Sequence, residues 1–289
     1  VVSSGQGAHL TIEGKDYLNF CSSHYLGFAE EPRLKKAAQD AIDLYGLGTG
    51  YRTLAGTHSL HLELEDKIAR FKGTEAAVTF TSAYAANASA VQTILGKEDI
   101  VISDQLNHAS IIDAVKVAGV QNKFAYAHSD MGDLETKLAQ ATEIAKKPKK
   151  NGEQPQILII TDGVFSMDGD LAKLPDIVDL AKKYDALTMV DDAHGEGVLG
   201  QGGRGVVNHF GLEGEVDIEI GSLSKAFSVT GGFIAAKQPL IDAYLMSARQ
   251  RLFSIALTIP DTAALVEAVN MLGESEHKVQ KLWSNVEYL

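Results

Sequence analysis

Residues 156–192, "QILIITDGVFSMDGDLAKLPDIVDLAKKYDALTMVDD", decide the fold. "QILIITD" and "LTMVDD" are short apolar runs of strand length, and "LPDIVDLAKKYD" between them has helical spacing. A strand, a helix and a second strand predict parallel neighbours joined by a crossover. Each strand runs into polar sequence, "TDGVFSMDG" after the first and "DDAHGEG" after the second.

The same alternation extends both ways. Toward the N-terminus lie helices "PRLKKAAQDAIDLYG" and "SLHLELEDKIARFKG", the latter with Leu60, Leu64 and Ile68 on one face. Strands "AAVTF" and "DIVIS", helix "ASIIDAVKVAG", strand "KFAYAH" and helix "LETKLAQATEIAKK" follow. Toward the C-terminus come strands "VDIEIGS" and "GGFIAA", then helix "LIDAYLMSARQ". Residues 1–27 read as a β-containing lead-in around the turn Glu13-Gly14-Lys15-Asp16. The pattern predicts an α/β protein with a mostly parallel sheet flanked by helices. In such sheets ligands bind beyond the carboxyl ends of the strands. There the sequence collects "TSAY", "DQLNHAS", "TDGVFSMDG", "DDAHGEG" and "GSLSKAF".

Composition excludes several classes. A formal net charge of −12 over 289 residues argues against nucleic-acid binding. "AKKPKKNGE" (145–153) reads as a solvated loop. No apolar run is long enough to span a membrane. The single cysteine, Cys21, rules out an internal disulfide, fits a reducing, cytoplasmic compartment, and reads as a small buried hydrophobe.

"GSLSKAF" sets Lys225 among small residues that leave room for a ligand, and a desolvated amine suits imine chemistry. On this motif alone a lysine entering a helix is the plainer alternative. Asp191 at a strand end, with His194 three residues on, can hold a protonated heterocyclic nitrogen. Pyridoxal phosphate needs a Schiff-base lysine and such a carboxylate. Paired acids can also ligate calcium or magnesium, but the further oxygen ligands are missing. "HGE" resembles a zinc-deaminase fragment without its cysteines, and "HSLH" (58–61) is not a metalloprotease motif. No metal is expected. "TSAYAAN" turns from strand to helix, and its N–H groups at Ser82, Ala83 and Tyr84 suit a phosphate. "YGLGTGYRTLAGT" (45–57) is not a dinucleotide fingerprint; its glycines let the backbone pass close to a site or a partner subunit.

These stretches, with "YLGF", "GTGYRTLAGTHSLHLELE", "MVDDAHGEGVLGQGGRG" and "LFSIAL", resemble the α-oxoamine synthases from about Tyr17 onward. The resemblance implies the large domain of aminotransferase fold type I, pyridoxal 5'-phosphate as cofactor, and condensation of an amino acid with an acyl-CoA. It implies that Lys225 carries the cofactor and moves the α-proton, that Asp191 pairs with the pyridine nitrogen, and that Asp192 supports from behind. It further implies His194 and Ser166 at the phenolic oxygen and His108 on the ring face. Ser82, Ala83, Tyr84 and Ser222 are implied at the phosphate. Ser254 is implied to reach the phosphate of the neighbouring subunit in a homodimer with shared sites. "TDGVFSMDG" and "GRGVVNHFGLEG" look most like the glycine C-acetyltransferases; 8-amino-7-oxononanoate synthase-like, serine palmitoyltransferase-like and non-catalytic members are the alternatives. Departures at Ser23, His24, Ala83, Phe227, Ser228, Thr258 and Ile259 bear on substrate choice. The expected organisation is an N-terminal segment (1–27), a cofactor-binding large domain (28–262) and the start of a C-terminal small domain (263–289), cut short where the family supplies a carboxylate-binding arginine.

Overall fold

The computed structural model describes residues 1–289 apart from Ser275. Strands β1 (His9–Ile12) and β2 (Lys15–Leu18) form a separate antiparallel pair around the expected turn. Helices α1 (Pro32–Tyr45) and α2 (Ser59–Lys72) then lead into the main sheet. Its strands are β3 (Ala76–Phe80), β4 (Ile100–Asp104), β5 (Asn122–Tyr126), β6 (Ile157–Asp162), β7 (Leu187–Asp191), β8 (Ile218–Ser222) and β9 (Gly232–Ala236). They lie in the order β3-β9-β8-β7-β6-β4-β5, all parallel except β9, which runs against both its neighbours.

Both faces of the sheet are covered, which is why its strands read as continuous apolar runs. Leu158 and Ile160 of β6 pack with helices α3 (Ala83–Ile94), α4 (Ala109–Ala118) and α8 (Gln238–Ser247). The alternate residues Ile157 and Ile159 pack with α5 (Met131–Ala145) and α6 (Leu174–Tyr184). On β9, Phe233 and Ala235 join Leu64 and Ile68 of α2 and Leu265, Val269 and Leu272 of α10 (Ile259–Glu274). Each fully buried Leu or Ile contributes about 1.5–3 kcal/mol, so the two-sided cover accounts for the regularity of the scaffold. Two short helices, α7 (Val206–His209) and α9 (Arg249–Leu252), and a terminal helix α11 (Glu276–Tyr288) complete the chain.

Two expectations change. Cys21 is exposed, on an irregular segment beside the equally exposed Phe20. The 145–153 stretch is a loop, but Lys149 is not simply solvated: its Nζ lies 3.0 Å from Asp99 Oδ1. Helix α10 runs unbroken through 262/263, and its far half belongs to the α2 core. The histidines of "HSLH" are satisfied locally: His58 accepts from Leu60 N, and His61 Nε2 meets Leu257 O at 2.9 Å. No helix among the described residues is long and apolar enough to cross a membrane.

Candidate active site

The carboxyl ends of the parallel strands meet at one cleft. Asp162 ends β6 and Asp191 ends β7, and the two are register partners. Strand β8 ends at Ser222, and the turn to β9 carries Lys225. That turn is held by Leu223 N donating to Gly231 O (3.0 Å), Ser228 N to Lys225 O (3.0 Å), and the fully buried Phe227. His108 caps α4 after β4, and Ser82 caps α3 after β3. The cleft is lined by Ala83, Tyr84, His108, Asp162, Ser166, Asp191, His194 and Lys225. A wider hollow of about 860 Å³ between α11 and the 198–211 loops holds no lysine and no strand-end acid pair, so size does not locate the chemistry.

The two adjacent acids have separate surroundings. Asp191 Oδ2 accepts from Asn87 Nδ2 at 2.7 Å and its Oδ1 from Ala193 N at 3.1 Å. It is buried yet borders the cleft. Asp192 is wholly buried away from the cleft, paired with Lys72 Nζ at 2.8 Å and accepting from Val206 N. The half-buried Lys225 amine sits below the ordinary lysine range because burial disfavours its charge, with Asp191, Glu196 and Asp162 partly offsetting that.

Burial, reinforced by Lys225, pushes His194 down to about 4, so its imidazole is neutral at neutral pH. Its Nδ1 lies 2.6 Å from the Tyr25 hydroxyl. A phenol O–H donating to Nδ1 leaves Nε2 carrying the ring hydrogen as a donor. Burial, then the charge of Asp191, pushes Asp162 up to about 8. Asp162 Oδ2 accepts from the backbone N–H of His108 at 3.0 Å, and so holds the start of α4 in place. The His108 ring stays exposed, its Nδ1 2.7 Å from Ser110 Oγ.

At α3, Ser82 Oγ accepts from Ala85 N at 3.1 Å. The N–H groups of Ala83 and Tyr84 have no intrahelical acceptor, which is the arrangement that binds phosphate. Gly232 makes this approach possible: a Cβ there would fall inside the contact shell of Ala83 N and Cα. Ser222 pairs in register with Gly232, and its Oγ is 2.9 Å from Ser224 Oγ. An anion cradle, a desolvated lysine and a carboxylate held by an amide therefore converge as pyridoxal phosphate requires. Of the residues named from sequence, Ser82, Ser222 and Ser254 lie outside the cleft lining; Ser82 and Ser222 flank it at the start of α3 and the end of β8, and Ser254 lies in the turn after α9. Sequence reading missed Asn87, Asp162 and Tyr25. Asn87 had a signal, an amide on the buried face of an alanine-rich helix. Asp162 had one too, an acid at a strand end. Tyr25 had none, being 169 positions from His194.

Comparison with known proteins agrees. The family model for class I and II aminotransferases matches residues 15–289. An 8-amino-7-oxononanoate synthase from Fervidobacterium nodosum is 53% identical over 99% of this chain and 71% of its own length. An 8-amino-7-oxononanoate synthase 1 from Bacillus subtilis is 48% identical over 99% of this chain and 71% of its own length. A serine palmitoyltransferase from S. paucimobilis, solved with a bound PLP–myriocin aldimine, superposes with a TM-score of 0.90 at 33% identity, over 98% of this chain and 70% of that one. The chain belongs to the class I and II aminotransferase family, in its α-oxoamine synthase branch. It is a pyridoxal-phosphate-dependent acyltransferase of fold type I.

Proposed function

We propose that the protein joins alanine to a seven-carbon dicarboxylic acyl thioester, pimeloyl-CoA or a carrier-bound equivalent, giving 8-amino-7-oxononanoate. The observation that carries this reading is 53% identity, over nearly the whole chain, to a protein named for that product. Cutting the product between its ketone and amine carbons yields a heptanedioyl group and alanine without its carboxylate. The balance is alanine plus acyl thioester giving the aminoketone, carbon dioxide and free thiol. The reading replaces the glycine and acetyl-CoA pair suggested by "TDGVFSMDG", and takes up what stood as the alternative.

When bound, pyridoxal phosphate supplies the electron sink that makes the amino-acid α-carbon nucleophilic. In this reading Asp191, fixed by Asn87 and Ala193 N, keeps a proton on the pyridine nitrogen. Lys225 Nζ holds the cofactor and moves the α-proton, a task its lowered basicity suits. His194 donates from Nε2 toward the phenolic oxygen, and Ser166, which also lines the cleft, serves the same oxygen. His108, with its backbone fixed by Asp162, covers the ring face and orients the amino acid. Ser82, Ala83, Tyr84 and Ser222 hold the phosphate. Ser254, beside the exposed Phe253 and Ile255, serves the neighbouring subunit of a homodimer.

The test is a matrix of amino acids against acyl thioesters, read for free thiol and for carbon dioxide. Alanine with pimeloyl-CoA is expected to give the highest kcat/KM, with carbon dioxide and thiol released in equal amounts. Preference for glycine with acetyl-CoA, and thiol without carbon dioxide, would return the assignment to glycine C-acetyltransferase.

A further inference from the structure

Beneath the cleft lies a group of four buried ionisable side chains that the reaction does not use. Lys72, the last residue of α2, places its Nζ 2.8 Å from Asp192 Oδ2, 3.0 Å from Glu219 Oε2 and 3.5 Å from Glu196 Oε1. It also donates to Arg204 O at 2.9 Å. All four side chains are at most 2% exposed. Two glycines of "HGEGVLGQGGRG", Gly195 and Gly205, pack directly against Asp192. Gly205 has φ +103°, and a Cβ there would fall against Asp192 Oδ2 and Lys72 Nζ.

The contacts of this group reach both halves of the reactive pair. Asp192 directly follows Asp191, and its N–H donates to Ile220 O at 2.8 Å, locking the end of β7 to β8. Glu196 Oε2 accepts from Ser222 N at 3.2 Å, where the turn bearing Lys225 begins. Gly221 leaves room for Glu196, whose Oε1 a Cβ would strike. One ammonium therefore grips the residue after Asp191 and the carboxyl group that holds the start of the Lys225 turn.

Charge makes the arrangement more than a clamp. Three carboxylates against one ammonium would leave two uncompensated negative charges in a dry interior, at a cost of several kcal/mol each. Burial raises Glu196, Glu219 and Asp192 above the usual carboxylate range, Glu196 well above it, and the Lys72 charge works against that rise. Burial opposes the charge of Lys72, but its three partners outweigh that and keep it protonated. Glu196 also acts electrostatically on Lys225.

We infer that Lys72 is a positioning residue of the active site: through Asp192 and Glu196 it sets Asp191 against Lys225 and offsets the buried acids beneath them. The inference rests on the cofactor site and not on the choice of acyl substrate, so the substrate matrix and the following test can fail separately.

The test compares the wild type with Lys72→Met and Glu196→Leu. It reads the dissociation constant of pyridoxal phosphate, the pH midpoint of the visible band of the cofactor-loaded protein, and the melting temperature of the apoprotein. Losing the ammonium leaves the field at Lys225 less positive. Lys72→Met is therefore expected to raise the band's midpoint by about half a pH unit or more. It is also expected to weaken cofactor binding about tenfold. Glu196→Leu removes the link to Ser222 while keeping an apolar fill. It is expected to weaken cofactor binding at an apoprotein melting temperature close to wild type, which keeps the test decisive if Lys72→Met does not fold. If a folded Lys72→Met keeps the wild-type midpoint and affinity, or if Glu196→Leu leaves cofactor affinity unchanged, Lys72 is a structural ion pair only and the inference is overturned.

Discussion

Asp191 and Asp192 differ by one position and by everything around them. Asp191 borders the cleft and is held by Asn87, whereas Asp192 is sealed against Lys72. Substitution should separate them by type of damage. Asp191→Asn, which keeps an oxygen for the Asn87 amide, is expected to leave the melting temperature near wild type while abolishing the cofactor-dependent reaction, as read by thiol release. Asp192→Ala breaks a buried ion pair and is expected to cost roughly 3 kcal/mol of stability in a urea titration. Equal loss of activity at equal stability would contradict the division. Asn87→Ala removes the donor to Asp191 and to Ser110 Oγ. It should cost about 1–3 kcal/mol and loosen cofactor binding, and Asn87→Asp should do worse because it sets a second acid against the first.

At the scale of elements, the approach of β9 to the start of α3 decides whether a phosphate cradle exists. Gly232→Ala pushes a methyl group into Ala83 N and Cα, and α3 must retreat. The expected result is a loss of about 1–3 kcal/mol with much weaker binding of pyridoxal phosphate, measured by fluorescence titration. Wild-type affinity in that variant would mean that the phosphate lies elsewhere. Elements such as β6 and β7 are legible in the sequence because two covered faces demand unbroken apolar runs, and the strand-end rule then points to Asp191 and Lys225. What depends on packing is not legible. Helix α10 crosses 262/263 because Leu265 and Val269 complete the α2 core, and a local pattern does not reveal which core a helix completes. Tyr25 reaches His194 only because the lead-in segment folds back over the sheet ends.

Across the whole molecule, one histidine ties three strand ends together. His128, just past β5, meets Asp104 of β4 at 3.0 Å and Asp170 of the loop after β6 at 2.7 Å. Burial opposes its charge, but the two carboxylates outweigh burial and raise its pKa above 6.5. A raised folded value means that the contribution to stability is fully present below the unfolded pKa and is lost as pH rises through the folded one. The melting-temperature difference between wild type and His128→Gln should therefore be largest near pH 6 and shrink toward alkaline pH. A difference that grows with pH would show that His128 is neutral in the fold. The loop it ties down carries Ser166, so the same titration should weaken cofactor binding in step.

Cys21 is the chain's only sulfhydryl, and it is exposed. A chromogenic disulfide reagent added before substrate will therefore react once per polypeptide. That first step counts the chains in the cuvette, and any thiol released from an acyl thioester afterwards reads directly as turnovers per chain. Replacing Cys21 with serine removes the step, and the substrate-dependent slope should stay the same.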